Sequence, residues 1–227
     1  IMNIREEQYD LLINLHRFSS SGIISYFSKA IEKRGFDKNP FSFCYNLKAK
    51  HEIGNGKHEV ERNHELIKDI TDGKYALPKL YPSKEAREKV RSYQNASYIT
   101  IAPASVWYTK QLPKEKWVEF IKKQELTVYL IGGKNDHELC EEIVKETEGD
   151  TEVKNISGNL NFLETGTLMK AAEMNYVNDS APLHIASAVN APVKAVFCST
   201  VPEFGLHGYS ACPKGHFKCA WGVVLSE

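Results

Sequence analysis

The sequence predicts an α/β protein whose strands, separated by helices, form parallel sheets. Beyond residue 96, short apolar runs alternate with helical segments of about ten residues, a pattern typical of βαβ units. The 227 residues are 42% hydrophobic, which is enough for one large domain or two small ones. Lys plus Arg equal Asp plus Glu at 29 each, so no overall field favours nucleic acid as a partner.

The first part of the chain, residues 1–95, begins with a βα unit. Residues 9–15 predict a buried strand, residues 16–22 a polar loop and residues 24–30 a helix. Further along, we expect a turn at 34–40, a strand at 41–47 and helices at 59–70 and 82–90. A domain junction is expected near residue 95.

Three histidines in this part raise the question of a metal site. His51, His58 and His64 are seven and six residues apart, so no two of them lie one helical turn from each other. The spacing favours a solvated surface over a metal site.

The second part, residues 96–227, shows a regular alternation. Strands are predicted at 98–102, 127–131, 153–156, 174–177 and 193–198, and helices at 114–122, 137–146, 162–172 and 182–189. This order predicts a parallel, doubly wound sheet, so residues 96–200 are expected to form a Rossmann-like domain.

Cysteine usage and the termini point to the cytoplasm. The five cysteines are an odd number without a disulfide framework, so we expect reduced thiols. No apolar run reaches the roughly 18 residues of a membrane-spanning helix, and no signal peptide is evident. His207, Cys212, His216 and Cys219 recur in the tail, but their spacing fits no standard zinc motif and favours structural cysteines.

The loops after residues 102, 131 and 177 should meet, because ligands of such sheets bind at the carboxyl ends of strands. The first loop carries Ser105, Thr109 and Lys110, whose hydroxyls and ammonium group suit a diphosphate. The alternative is a solvated lysine with tryptophans that pack the domain surface. The loop alone does not decide between them.

The second loop combines glycines with acidic residues. Gly132 and Gly133 let the backbone approach a ligand, and Asp136 or Glu138 could bind ribose hydroxyls. The spacing is not that of a dinucleotide fingerprint, so NAD is disfavoured.

The third loop opens a helix. Asn178, Asp179 and Ser180 favour caps, and Pro182 begins a helical segment, so Asp179, Ser180 and N–H groups up to Leu183 would meet phosphates. His184 lies on the first helical turn. The alternatives are an ordinary capped turn and a histidine that serves packing.

Taken in order, these segments resemble glycosyltransferase family 9, the lipopolysaccharide heptosyltransferases. The resemblance rests on Ala102-Pro-Ala-Ser105, Thr109-Lys110 before Trp117, Leu130-Ile-Gly-Gly133 with Asp136-His-Glu138, and Asn178-Asp-Ser-Ala-Pro-Leu-His184. It implies a GT-B fold, in which two Rossmann-like domains face a cleft. The acceptor-side domain would be residues 1–95, and residues 96–227 would bind the nucleotide sugar and end in the Cys/His-containing tail.

The resemblance also implies roles for single residues. Lys110 would bind the diphosphate and stabilise the leaving group, with Ser105 and Thr109 beside it. Asp136 or Glu138 would contact ribose. Asp179, Ser180, Ala181, Leu183 and His184 match the phosphate loop, although most relatives have glycine where Ala181 stands.

Two departures from the family concern completeness. Its members begin with a strand and a Gly-Asp loop whose aspartate is the expected general base, and nothing before Tyr9 matches that loop. A longer insert follows the family's counterpart of residues 201–205. We therefore expect an incomplete N-terminal domain and a gap near Gly205. Arg17, Ser19 and Ser20 are the candidates for touching the anionic acceptor.

The resulting functional prediction is an inverting, metal-independent transfer of heptose from ADP-heptose to a lipopolysaccharide inner-core acceptor. It requires no cofactor and no nucleic acid. The partners would be the nucleotide-sugar donor and a lipid-linked saccharide, in the cytoplasm or in peripheral contact with the inner membrane. The alternatives are another nucleotide sugar or acceptor, a non-catalytic nucleotide-binding module, and a nucleotide-sugar epimerase.

Overall fold

The part of the chain that the structure describes forms two parallel β-sheets, each flanked by helices, which confirms the predicted α/β class. A computed structural model describes residues 2–149 and 151–198. These residues divide into two units, 2–76 and 77–198.

The first unit contains a three-stranded sheet. Its strands are β1 (Leu11–Asn14), β2 (Glu32–Phe36) and β3 (Leu47–Ala49), paired in parallel in the order β1-β2-β3. Its helices are α1 (Met2–Glu6), α2 (Ser19–Phe27) and α3 (Glu59–His64). The predicted first strand is confirmed, whereas α2 begins five residues before the predicted helix at 24–30, and α3 ends before residue 70.

The turn predicted at residues 34–40 is wrong for Arg34, Gly35 and Phe36, which belong to β2, and confirmed for residues 37–40. Gly35 is required by a close approach: a Cβ there would lie 2.4 Å from Cε2 of Tyr45. The strand predicted at 41–47 is also wrong, since residues Ser42–Cys44 form a 3-10 turn and β3 follows it.

Charged β2 is stabilised by ion pairs of Arg34, whose side chain is 4% exposed. Its guanidinium donates to Asp69 Oδ2 at 2.9 Å and to Glu32 Oε1 at 2.7 Å, and also to the carbonyl of Leu66. The hydrogen bond from Arg34 lowers the pKa of the Asp69 carboxyl. An apolar pattern could not have indicated this strand, because four of its five residues are charged or glycine.

The solvated histidine surface predicted for this unit is wrong for two of the three histidines. His51 and His58 are each only 6% exposed. His58 Nδ1 accepts the N–H of Val60 at 3.1 Å and caps α3. His51 packs edge-on against the ring of Phe36, with 4.6 Å between centroids. Across the described ranges, no three metal-binding side chains lie together.

The second unit follows the predicted alternation closely. Its helices are α4 (Lys84–Val90), α5 (Lys114–Ile121), α6 (His137–Glu146), α7 (Phe162–Ala171) and α8 (Ala181–Ala188). Its strands are β4 (Tyr98–Ala102), β5 (Thr127–Leu130), β6 (Val153–Asn155), β7 (Met174–Asn178) and β8 (Val193–Val196). Each predicted strand and helix of this part is confirmed within about two residues, the usual uncertainty of helix ends.

The strand order fixes where a ligand could bind. All five strands run parallel in the order β6-β5-β4-β7-β8. The direction of winding therefore reverses between β4 and β7. At such a switch point the loops that leave the two strands diverge and open a crevice. Apolar clusters pack on both faces of the sheet and hold these strands in place. Leu168 is fully buried in one cluster and Ile101 in the other.

The units divide between residues 76 and 77, earlier than the junction expected near residue 95. Segment 77–95 packs on the second unit: Lys89 Nζ lies 2.9 Å from Glu164 Oε2 on α7, and Leu80 N–H donates to Ala188 O at 2.9 Å. The sequence around residue 80 is rich in prolines, which indicate a break in regular structure before α4. They do not show which unit the helix joins.

Other predictions concern cysteines and membranes. Cys44, Cys140 and Cys198 form no disulfide. In the part of the chain with described coordinates, no helix has the length and apolar character needed to cross a membrane. Cys212, Cys219, the rest of the tail and the segment near Gly205 lie outside the described residues.

Candidate functional site

The loops that follow β4, β5 and β7 border one cavity of about 840 Å³. Six predicted residues from all three loops line it: Ser105, Gly132, Gly133, Asp136, Ser180 and Ala181. The cavity lies at the switch point of the sheet, where ligands of α/β proteins bind. The predicted convergence of the three loops is therefore seen in the structure.

Lys110 lies at the end of a 3-10 turn formed by Tyr108–Lys110. Its Nζ donates to Asp179 Oδ2 at 2.6 Å, and the two side chains are 23% and 5% exposed. Asp179 directly precedes the N-cap of α8. The ion pair thus holds an ammonium group beside a helix N-terminus, where positive charge and helix dipole reinforce each other.

The start of α8 offers two backbone donors. Within the described residues, the N–H groups of Ser180 and Ala181 have no hydrogen-bond acceptor. Pro182 has no backbone N–H group. The N–H of Leu183 donates to Ser180 O at 3.0 Å, and its side chain is fully buried. An anion could therefore use Ser180 and Ala181, whereas Leu183 serves the core.

His184 lies in the first turn of α8, where part of it is exposed and the charges of Asp179 and Lys110 act on its ring. Desolvation lowers its pKa, the Asp179 carboxylate opposes this shift, and the Lys110 ammonium adds to it. The balance favours the neutral imidazole near pH 7. Such a ring can donate a hydrogen bond to a phosphate without adding a charge.

The Gly132-Gly133 loop is ordered by Asp136. Its Oδ2 accepts the N–H of Gly133 at 2.7 Å. Asp136 borders the cavity, while Glu138 and Thr109 are exposed and are not among the lining residues. The lining also lacks four other predicted residues: Lys110, Asp179, Leu183 and His184. Of the two acids considered for a ribose contact, the structure brings Asp136 to the cavity.

The two glycines should respond differently to alanine. A Cβ on Gly132 would lie 2.7 Å from Asp136 Oδ2, whereas one on Gly133 would lie 3.6 Å away. We expect Gly132→Ala to lower the free energy of unfolding by about 1–3 kcal/mol, the usual cost of overpacking. Gly133→Ala, its matched control, should change it by less than about 0.5 kcal/mol. Thermal denaturation measures both, and equal effects would contradict this picture of the loop.

Asn178 is predicted only as a capping residue, and the structure shows that it joins β7 to both ends of the loop that follows β4. It is fully buried at the end of β7. Its Nδ2 donates to Pro103 O at 2.8 Å, and its Oδ1 accepts the N–H of Leu112 at 3.0 Å. The sequence signalled a capping residue, but the structure shows no cap for α8 from this side chain.

One wall of the cavity was not predicted. Lys89, on α4, pairs with Glu164 of α7, and Glu164 also accepts the N–H of Asn161, the N-cap of that helix. All three line the cavity together with Leu160, Phe162 and Thr165. No motif indicates this wall, because it depends on where α7 crosses the sheet.

The acceptor candidates belong to the first unit. Arg17 lies in the loop after β1, and Ser19 and Ser20 are the first residues of α2, not loop residues as predicted. All three are exposed at the carboxyl end of β1. Their role stays a prediction.

Comparison with protein families and sequences gives a consistent result. The family model described as glycosyltransferase family 9 (heptosyltransferase) matches residues 1–211. Lipooligosaccharide heptosyltransferase 2 of Haemophilus influenzae is 24% identical over 221 residues, which cover 87% of this chain and 63% of that protein. Lipopolysaccharide heptosyltransferase 2 of Escherichia coli K12 is 27% identical over 141 residues, which cover 56% and 40%. The chain thus spans less than two thirds of either relative.

Solved structures share the fold. The structure titled E. coli ADP-heptose lps heptosyltransferase II superposes with a TM-score of 0.74 at 21% identity, covering 91% of this chain and 68% of that one. A family 9 glycosyltransferase from Veillonella parvula DSM 2008 also gives 0.74, at 17% identity, with 92% and 63% covered. These likenesses confirm the predicted GT-B fold.

Proposed function

The chain belongs to glycosyltransferase family 9, and on that premise we propose that it transfers a heptose from ADP-heptose to a lipopolysaccharide inner-core acceptor. The observation that carries the proposal is the pairing of Lys110 with Asp179 beside the free N–H groups of Ser180 and Ala181. Ser180 and Ala181 line the cavity, and Lys110 is held by Asp179, the residue directly before Ser180, so one cation and two backbone donors lie around the start of α8. A diphosphate requires such a set.

The proposal places the donor along the cavity. The diphosphate binds at the start of α8 with Lys110 and Ser105, and neutral His184 adds a hydrogen bond. The nucleoside extends toward the Gly132-Gly133 loop, where the backbone can approach closely, and Asp136 contacts the ribose. The cavity volume of about 840 Å³ falls in the range of ordinary small-molecule sites.

The proposed reaction is a single displacement with inversion. The acceptor hydroxyl oxygen bonds to C1 of the heptose, the bond from C1 to the diphosphate oxygen breaks, and ADP leaves with the electron pair. Lys110 and the N–H groups of Ser180 and Ala181 face the charge that develops on the diphosphate, so they lower the barrier. Because this charge is balanced by protein groups, the proposed step needs no metal ion or cofactor.

The acceptor hydroxyl must also lose a proton. A carboxylate would take it as general base, and the proposal assigns no residue to that role. Arg17, with Ser19 and Ser20, is proposed to meet the anionic, lipid-linked saccharide through charge-assisted hydrogen bonds. The protein would act in the cytoplasm, in peripheral contact with the inner membrane that holds the acceptor.

Calorimetric titration with ADP, UDP and GDP tests the donor. We expect ADP to bind at least about tenfold more tightly than the other two, a difference of roughly 1.4 kcal/mol. Tighter binding of UDP or GDP would indicate that the donor is another nucleotide sugar and not ADP-heptose. The proposal that the chain is a glycosyltransferase would still stand. Failure of all three to bind would contradict the donor site itself.

A further inference from the structure

We infer that Asn178 is the positioning residue that sets Lys110 in place for the diphosphate, an inference that rests on the proposed function. The loop of residues 103–112, called the lysine loop below, connects β4 to α5 and contains Ser105, Thr109 and Lys110. One side chain, fully buried, binds both ends of this loop.

The contacts of Asn178 close the loop at its two ends. At the start, its Nδ2 donates to Pro103 O at 2.8 Å, with the carbonyls of Ala102 and Ala104 further away at 3.4 and 3.5 Å. At the far end, its Oδ1 accepts the N–H of Leu112 at 3.0 Å. The carboxamide therefore fixes how the loop leaves β4 and how it returns.

Inside the closed loop, two further hydrogen bonds stiffen the backbone. Nε2 of Gln111 donates to Ser105 O at 2.5 Å, and the Lys110 N–H donates to Trp107 O at 2.9 Å. These bonds define the path of the loop between Pro103 and Leu112. The position of the Lys110 Cα is therefore set by the two loop ends that Asn178 binds.

Asn178 and Asp179, which are consecutive in the chain, position different parts of Lys110. Asn178 fixes the main chain of the lysine loop, while Asp179 holds the ammonium at 2.6 Å. Asp179 alone could retain a lysine with a mobile backbone, but a long flexible side chain defines position poorly. A misplacement of about 1 Å is enough to lower catalysis strongly, so the backbone anchor is what gives the lysine its precision.

The chemistry of the position calls for asparagine. One short side chain must donate to a carbonyl and accept from an N–H at the same time, which a carboxamide does. Aspartate would offer an acceptor to Pro103 O where a donor is required. An apolar side chain would leave both backbone groups unsatisfied, which is costly inside a protein.

Asn175 provides a matched control for a purely structural role. It is also fully buried on β7, three residues earlier, and its Nδ2 donates to Met169 O and Pro192 O at 2.8 and 2.7 Å. Its Oδ1 accepts from Thr100 at 2.5 Å. Asn175 therefore matches Asn178 in type, strand, burial and hydrogen bonding, but does not touch the lysine loop.

The experiment is a double-mutant cycle on ADP affinity in the full chain. Asn178→Ala should raise the dissociation constant for ADP about tenfold, the loss expected when one charge-assisted hydrogen bond is misplaced. In a Lys110→Ala background the same substitution should raise it by less than about twofold, because the two residues act together. Asn175→Ala should lower the melting temperature and leave the ADP dissociation constant within about twofold.

Each outcome decides the inference. Equal effects of Asn178→Ala and Asn175→Ala on ADP affinity would overturn it, as would an undiminished effect of Asn178→Ala beside Lys110→Ala. Should Asn178→Ala fail to fold, Asn178→Ser, which keeps a donor for Pro103 O, takes its place in the cycle with the same criteria. Failure of the unsubstituted chain to bind ADP, UDP and GDP alike would overturn the proposed donor site, and this inference with it.

Discussion

Replacing Lys110 with alanine is expected to lower heptosyl transfer about a hundredfold to a thousandfold, the range found when one preorganised donor to a developing anion is removed. The loss has two sources. The diphosphate loses its cation, and Asp179, only 5% exposed, loses its ion pair with the ammonium group. The negative charge of this carboxylate would then repel the leaving group that the site should stabilise.

The measurement is steady-state turnover with the nucleotide sugar and acceptor, and the folded fraction is followed by circular dichroism. Lys116→Ala serves as control, because Lys116 is an exposed lysine on α5 that pairs with Glu119 at 3.4 Å. We expect this control to retain full activity. Unchanged turnover after Lys110→Ala would sink the role given to this lysine.

The second large effect concerns stability. Ile101 is fully buried on β4, the central strand, where it lies opposite Leu130 of β5 and Tyr176 of β7. Its side chain packs in the apolar cluster beneath α5 and α6. We expect Ile101→Ala to lower the free energy of unfolding by about 2–5 kcal/mol, because a cavity adds to the lost transfer energy.

Denaturant unfolding of the purified chain measures this change. Tyr81→Ala is the matched control in the same unit, since Tyr81 is 78% exposed. Its free energy of unfolding should shift by no more than about 0.5 kcal/mol. If the two variants lost the same stability, β4 would not be the centre of the core as the strand order indicates.

The second unit could be predicted from the sequence because its local signals agree with its tertiary structure. Residues 98–102 are apolar apart from Thr100, and each of the five forms a buried part of β4. Asn161 with Glu164 forms a capping box at the predicted start of α7. Given the parallel alternation, the convergence of Ser105, Gly132 and Ser180 follows from a general rule about strand ends.

The first unit resisted prediction because its elements depend on pairings distant in sequence. The strand β2 contains Arg34, which is buried through Asp69, a residue 35 positions away. His58 looked like a surface residue, yet its ring caps α3. Neither apolar period nor composition records such contacts, so the pattern favoured a turn and a solvated surface.

In the candidate site, sequence reasoning found the groups suited to a phosphate but not their partners. Lys110 and Asp179 were both named, whereas their ion pair across 69 positions was not. The position of Asn178 between strand and helix suggested a cap, and its two loop contacts became visible only with the fold. Side-chain partnership across loops is set by strand order, which the sequence indicates only in outline.

The central claim is that the start of α8 and Lys110 hold a diphosphate, and amide NMR during titration with ADP tests it most directly. We expect the backbone amide signals of Ser180 and Ala181 to shift strongly as ADP saturates the site, because each N–H gains an anionic acceptor. The amide of Leu183, already bonded to Ser180 O at 3.0 Å, should shift less. Binding of ADP with unmoved Ser180 and Ala181 amides would contradict the claim.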